Sequence, residues 1–197
     1  RIVASWRSVQ QRGAMSSKPY FETVAPQWDA MRQEFFSEGV REKAYAAAAL
    51  EPGLIVADIG AGSGFISEGL RGRGLHLIAV DQSPAMLAEM RRKLGTDGIE
   101  YCEGEAEHLP LADGSVERAF ANMFLHHVER PAVVLRELAR ILKPGGRLVL
   151  TDVNAHAHEF LLREHHDRWP GFQRAEVRRW FEAAGLHDVS VEDAGED

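Results

Sequence analysis

The chain has one cysteine, Cys102, in 197 residues. A lone thiol excludes an internal disulfide framework and a cysteine-based zinc cluster. Such sparing use also fits a reducing compartment. Basic residues are in deficit, with 23 Lys and Arg against 30 Asp and Glu and a formal charge of −7. No block of Lys or Arg interrupts that deficit, so no nucleic-acid partner is expected. No apolar run approaches the roughly 20 residues of a membrane span. The first residues lack a charged-then-apolar segment with a cleavage site, which makes the cytoplasm the expected location. What is present, 45% hydrophobic and 27% charged residues, is the composition of an ordinary soluble domain with one core.

Residues 1–19 read as a leader or disordered tail, although Arg1 to Trp6 has β-compatible content. Residues 20–197 then form one domain. Tyr20 to Leu50 reads as helix, stopped by Glu51-Pro52-Gly53, and is expected to act as an N-terminal lid. Beyond it, short apolar runs alternate with helical patterns. Strands are expected at Leu54–Asp58, Leu75–Val80, Ile99–Cys102, Val116–Ala121, Arg147–Thr151 and about His187–Val191. Helices are expected at Ser63–Leu70, after the Ser83-Pro84 start signal, from Pro131 to the Lys143-Pro144-Gly145-Gly146 stop, and at Ala175–Ala184. That alternation predicts an α/β fold: a Rossmann-like, doubly wound, mostly parallel sheet with helices on both faces. Its ligands sit beyond the strand carboxyl ends. Asp58, Asp81, Glu105, Asn122 and Asp152 all fall at or just past such ends.

The run Val56-Ala57-Asp58-Ile59-Gly60-Ala61-Gly62-Ser63-Gly64-Phe65 places an acid and a glycine-rich turn between a buried strand and a helix. Phe65 stands where a dinucleotide fingerprint needs its third glycine, and the Gly-Lys-Ser/Thr ending of a P-loop is absent. The loop has no Lys or Arg to meet a pyrophosphate, and Asp58 would repel one. An acid beside Gly60, Gly62 and Gly64 suits a cationic cofactor instead. The common cofactor of that kind is S-adenosyl-L-methionine, with its sulfonium and ammonium groups. Free N–H groups at the following helix can take its carboxylate. Asp81, about 20 residues on, stands where a carboxylate accepts hydrogen bonds from both ribose hydroxyls. Glu105 can accept from the adenine amino group and the Ala106 N–H can donate to a ring nitrogen, with Glu107 as a competing acid. Asn122 and Met123 follow the fourth strand on the expected cofactor wall.

Five segments together resemble class I S-adenosylmethionine-dependent methyltransferases, in that family's order, across about Tyr20 to Val191. They are Val56 to Gly64, Asp81-Gln82-Ser83-Pro84-Ala85-Met86-Leu87, Gly104 to Pro110, Leu125-His126-His127-Val128, and Leu142 to Leu148. The resemblance implies a seven-stranded sheet and adds Tyr20, Gln82 and Met86 to the cofactor residues. Within the family the chain is similar to small-molecule enzymes such as those of quinone biosynthesis. Its start, Tyr20-Phe21-Glu22 with Ala25-Pro26-Gln27-Trp28-Asp29, also resembles methyltransferase domains linked to metalloregulators. It departs from the family in lacking a clear final antiparallel strand. It also has no Asn/Asp-Pro-Pro-Tyr/Phe segment of amino-group methyltransferases and too few cysteines for an arsenite enzyme.

The expected activity is in-line methyl transfer to a small-molecule acceptor, with orientation and water exclusion supplying much of the acceleration. His126 and His127 are the candidate bases if the acceptor arrives protonated, since imidazole titrates near neutrality. Tyr20, Phe21 and Trp28 can form an aromatic lid over a sulfonium. His156, His158, His165 and His166 near Asp152 lack diagnostic metal spacing, so no metal is expected. The alternative reading is a non-catalytic S-adenosylmethionine-binding regulatory module on the same fold. Acceptor identity and oligomeric state have no signature in the sequence.

Overall fold

The structure, a computed structural model, describes residues 18–32, 38–155 and 168–193. Most of the expected leader and the histidines at 156, 158, 165 and 166 lie outside these residues. Helix α1 spans Lys18–Val24, a 3-10 turn follows at Ala25–Gln27, α2 is Trp28–Arg32 and α3 is Glu38–Ala48. Then β1 (Ile55–Ile59), α4 (Phe65–Leu70), β2 (His76–Asp81), α5 (Pro84–Leu94), β3 (Ile99–Glu103) and β4 (Val116–Asn122) succeed one another. A second 3-10 turn (Leu125–His127), α6 (Pro131–Ile141), β5 (Leu142–Thr151) and α7 (Arg174–Ala183) complete the order.

The five strands pair in the order β3-β2-β1-β4-β5, and each pairing is parallel. The chain builds outward from β1 in one direction and then returns to β4 beside it. The sheet's topological switch point therefore lies between β1 and β4, where such sheets open a crevice at the strand carboxyl ends. The alternation of side chains explains why the strands are apolar throughout. Val56, Leu77, Ala79 and Phe120 face a core shared with α3, α4 and α5. Their neighbours Ala57, Ile59, Val80, Ala119 and Ala121 face a second core shared with α6. Two buried faces require apolar residues at successive positions, not alternate ones.

Tyr45 ties α3 to this core. Its ring meets Phe120 edge-on at 5.9 Å, and its hydroxyl donates to the Ile66 carbonyl at 2.5 Å. Burial, the largest influence, pushes that hydroxyl above its ordinary pKa. The end of α3 is held by Arg118 of β4, whose Nε donates to the Ala48 carbonyl at 2.5 Å.

Two expectations are corrected. The single helix over Tyr20–Leu50 is broken into α1, the 3-10 turn, α2 and α3. Pro26 lacks the N–H that a continuous helix would need at that point. The strand expected at about His187–Val191 is absent. Asp188 has φ of 55°, and side chains hold the segment where a ladder was expected: Arg178 Nη1 donates to the Val189 carbonyl at 2.6 Å, and Arg174 pairs with Asp193. Lys143-Pro144-Gly145-Gly146 ends α6 as expected, but as a bulge inside β5. The β4–β5 register passes from Val116↔Leu142 to Arg118↔Arg147. Among the described residues no helix is long and apolar enough to cross a membrane.

Tyr45→Phe keeps the aromatic contact and deletes the buried hydrogen bond. It is expected to lower unfolding free energy by about 1 kcal/mol, while Tyr45→Ala lowers it by about 3–5 kcal/mol. Urea denaturation reads both, and an unchanged midpoint for Tyr45→Ala would refute this role.

Candidate functional site

At the switch point, the β1–α4 loop turns back over the end of β2. Gly60 and Ala61 donate their N–H groups to the Val80 carbonyl at 2.9 and 3.1 Å. Gly60 has φ of 67°, and a Cβ there would stand 2.6 Å from Phe124 Cγ. Only glycine permits both that left-handed turn and that approach. Gly64, with φ of 92°, faces away from the crevice. A Cβ there would meet Met90 Cγ at 2.7 Å and Leu94 Cδ1 at 2.9 Å, so this glycine serves the packing of α4 against α5.

The loop is held by Asp81. Its Oδ2 accepts the Gly62 N–H at 2.8 Å and its Oδ1 accepts the Ser83 N–H at 2.8 Å. Burial raises the Asp81 carboxyl above the ordinary range, and these N–H groups oppose the rise. Ser83 then caps α5, its hydroxyl accepting the Met86 N–H at 3.3 Å. Asp58, at the end of β1, is buried. Its Oδ2 accepts from Ser67 Oγ at 2.7 Å and Ser67 N at 3.1 Å. Desolvation pushes its carboxyl up to about 6, against the lowering by Ser67 and with a smaller raising by Asp81.

These groups border a cavity of about 270 Å³. Along its β1–β3 side lie Asp58, Gly60, Gly62, Asp81, Gln82, Met86, Glu105 and Ala106. Glu107 also borders it, but its carboxylate accepts the Arg130 N–H at 2.9 Å and pairs with that guanidinium at 3.3 Å. It is thereby committed to the start of α6, whereas Glu105 belongs to the loop itself. Along the β4 side lie Asn122, Met123, Phe124, His127, Val128, Glu129 and Arg168. Asn122 is held by Thr151, whose hydroxyl donates to its Oδ1 at 2.6 Å. Met123 has φ of 50°, a left-handed conformation that strains a non-glycine residue.

Phe21 and Trp28 cover the cavity from the N-terminal segment, their rings edge-on at 5.3 Å. Phe21 also meets the His127 ring edge-on at 5.0 Å. Three polar ties hold that segment down. Lys18 Nζ donates to Glu103 at 2.9 Å, Ser63 Oγ donates to Asp29 at 2.5 Å, and Lys93 Nζ donates to Asp29 at 2.8 Å.

Eleven sequence-selected residues thus border one cavity: Asp58, Gly60, Gly62, Asp81, Gln82, Met86, Glu105, Ala106, Asn122, Met123 and His127. Tyr20, Gly64 and His126 are not on its wall. Tyr20 packs edge-on against Phe21 at 5.3 Å. His126 is buried behind His127, with Nδ1 at 2.7 Å from Asp152 Oδ1. The Asp152 carboxylate also accepts the Leu125 N–H at 2.8 Å and the Val153 N–H at 2.8 Å. An ionised carboxylate has only lone pairs to offer, so the His126 proton belongs on Nδ1. The His126 carbonyl accepts the N–H groups of Arg168 at 2.9 Å and Trp169 at 3.2 Å. Sequence reasoning missed Phe124 and Arg168. Among the described residues no cluster of His, Cys, Asp and Glu has the arrangement of a metal site.

Residues 57–150 match the family described as methyltransferase domain. Among curated proteins, the chain is 31% identical to demethylmenaquinone methyltransferase of Clavibacter sepedonicus, over 68% of this chain and 66% of that protein. It is 32% identical to the chloroplastic 2-methyl-6-phytyl-1,4-hydroquinone methyltransferase 1 of Oryza sativa subsp. japonica, over 81% of this chain and 49% of that protein. The chain thus spans between about half and two thirds of the length of these relatives. The crystal structure of a SAM-dependent methyltransferase from Aquifex aeolicus superposes with a TM-score of 0.67 at 26% identity, covering 83% of this chain and 87% of that one. The chain carries a class I S-adenosylmethionine-dependent methyltransferase domain.

Asp152→Asn sets an amide N–H₂ against at least one of the N–H donors that Asp152 now accepts. Unfolding free energy is expected to fall by about 1–3 kcal/mol. Chemical denaturation is the measurement, and an unchanged stability would show that the pair does not hold this corner together.

Proposed function

We propose that this domain transfers a methyl group from S-adenosyl-L-methionine to a small-molecule acceptor by in-line displacement. One observation carries the reading: a crevice at the switch point whose β1–β3 side is lined by Asp58, Asp81, Glu105 and bare glycine backbone, with no Lys or Arg in that lining among the described residues. A cationic, nucleoside-bearing cofactor fits that chemistry, and a pyrophosphate does not. S-adenosylmethionine supplies an electrophilic methyl on a sulfonium that is already a good leaving group.

The chain's own residues then bind, orient and enclose. Asp81 keeps further lone pairs on both oxygens for ribose hydroxyls, beyond those engaged by Gly62 and Ser83. Asp58 and the Gly60–Gly62 backbone face the amino-acid end, and Gln82, Met86, Glu105 and Ala106 the adenosine end. Asn122 and Met123 form the floor toward β4, and Gly64 shapes the loop through α5. Residues 20–197 act as one domain with the helices of 20–50 as its cover. Phe21 and Trp28 exclude water, and Tyr20 supports Phe21. His127, on the wall, is the residue placed to take a proton from an acceptor, while His126 positions it from behind. The names of the quinone-type relatives support a small ring acceptor.

Calorimetry with S-adenosylhomocysteine tests the cofactor reading. Asp81→Ala is expected to weaken binding at least about tenfold, a loss of at least about 1.4 kcal/mol. Equal affinity in the variant would remove the ribose assignment.

The Asp58 carboxyl gives a pH signature. With its folded pKa raised to about 6, it is protonated at pH 5 and ionised at pH 7. A cationic ligand favours the ionised form, so affinity is expected to rise as pH passes upward through about 6. The free protein shows the opposite sign: the raised pKa contributes stability that is complete below the unfolded value of 3.8 and is lost as pH rises through about 6. Asp58→Asn should flatten both profiles. A wild-type affinity that does not change between pH 5 and 7 counts against this role.

A further inference from the structure

The N-terminal cover sits on the domain with little apolar burial. Across residues 18–31 only Ala25 is buried, whereas α6 alone buries Val134, Leu135, Leu138 and Ile141. A segment that removes so little apolar surface from water owes its seat largely to polar contacts. Two of the three polar ties that hold it meet at Asp29 of α2. Its Oδ1 accepts the Ser63 hydroxyl at 2.5 Å, and its Oδ2 accepts Lys93 Nζ at 2.8 Å. Ser63 is buried and lies inside the glycine loop, between Gly62 and Gly64. Lys93 stands on α5, and Glu68 of α4 lies 3.3 Å from the same ammonium. One carboxylate therefore joins the cover both to the loop and to the helix behind it. Neither Asp29 nor Lys93 is among the described residues that border the cavity. Trp28, the neighbour of Asp29, does border it, and its Nε1 lies 3.5 Å from where a Gly62 Cβ would stand. Phe21 packs on Trp28 and carries the cover on to His127.

Resting on the proposed methyl-transfer reading, we infer that Asp29 is a positioning residue that latches the aromatic cover onto the glycine loop and so sets how fast the cofactor leaves. A cofactor held over Gly60–Gly62 lies beneath Trp28 and departs when that indole lifts. The carboxylate acts on this motion from outside the cavity. Lifting Trp28 separates Asp29 from a hydroxyl and an ammonium at once, and the bond to the ammonium is of the stronger, charge-assisted kind. Both partners stay anchored when the cover is up, Ser63 within the loop and Lys93 beside Glu68, so the latch recloses on the same atoms.

Stopped-flow mixing with S-adenosylhomocysteine, followed by tryptophan fluorescence, reads the association and dissociation rates separately. Asp29→Ala is expected to raise the dissociation rate at least about tenfold, an effect of about 1.4 kcal/mol, without lowering the association rate. Asp29→Asn keeps an acceptor for the Ser63 hydroxyl and should recover part of the loss. Lys93→Met should raise the dissociation rate less. The double variant Asp29→Ala with Lys93→Met should release no faster than Asp29→Ala alone, because both changes act through one contact. A purely structural role has a different signature, since a smaller competent fraction slows association. Unchanged dissociation in Asp29→Ala overturns the inference, as does a lowered association rate or an additive double variant. If Asp29→Ala does not fold, unchanged dissociation in both Asp29→Asn and Lys93→Met overturns it equally. Failure of the wild type to bind S-adenosylhomocysteine at all would sink the methyl-transfer reading, and this inference with it.

Discussion

One carboxylate holds the glycine loop against the sheet. Asp81 stands at the end of β2 and spends one oxygen on the Gly62 N–H and the other on the Ser83 N–H. The first bond fixes the turn that leaves β1, and the second fixes the start of α5. Ser83 then caps α5, which carries Met90 and Leu94 into the space that Gly64 leaves open. Loop, strand end and helix thereby close a small circuit around a single acid. Burying that acid is unfavourable, as its raised pKa shows, and charge-assisted hydrogen bonds from backbone N–H groups offset the cost. Loss of the carboxylate would release the backbone that shapes the crevice as well as a ligand contact.

Parallel topology turns this local arrangement into a charge pattern. In an order of β3-β2-β1-β4-β5, all strand carboxyl ends lie on one rim, and each contributes the residue that follows it. Acids follow or end the strands on one half of that rim. The other half is mixed, with Asn122, His127, Glu129 and Arg168 along it. Asp58 belongs to that acidic set, and the contacts that lower its carboxyl come from Ser67 alone, through its hydroxyl and its N–H. An acid kept near neutrality by desolvation is a group that a neighbouring cation can ionise, which couples ligand charge to proton release.

The strands and the acidic half of the site were legible because their causes are local in sequence. Two buried faces demand continuous apolar runs, and the five strands fall within a few residues of those runs. Ser83-Pro84 announces α5 by capping chemistry alone. The β4 half was less legible because its causes are not local. Adjacent histidines carry no pattern that tells which faces the cavity. The 3-10 turn decides, turning His127 outward and His126 onto Asp152. Arg168 is brought in by a backbone bond to a residue far along the chain, which no spacing encodes. Gly64 looked like a ligand glycine, yet the side chains that require it lie on α5. Pro26 was in plain view, and the helical composition around it outweighed the missing N–H that breaks the segment.

The wall beside His127 owes its shape to a strained residue. Met123 adopts a φ of 50°, a conformation that costs a non-glycine side chain about 1–2 kcal/mol. The surrounding bonds over-determine it. On one side its own N–H donates to the Thr151 carbonyl at 2.8 Å, and on the other the Leu125 N–H is held by Asp152. Between these anchors the chain has to reverse within two residues, and a left-handed residue achieves that. The reversal drives the Phe124 ring against Gly60, so that the β4 wall and the glycine loop are packed onto one another across the switch point. The consequence is a direct contact between the two halves of the crevice, Phe124 from one lying on Gly60 of the other. The parallel ladder of β1 and β4 sets in advance the distance between a group held over the glycines and one held beside His127, which is the preorganisation that an in-line displacement needs.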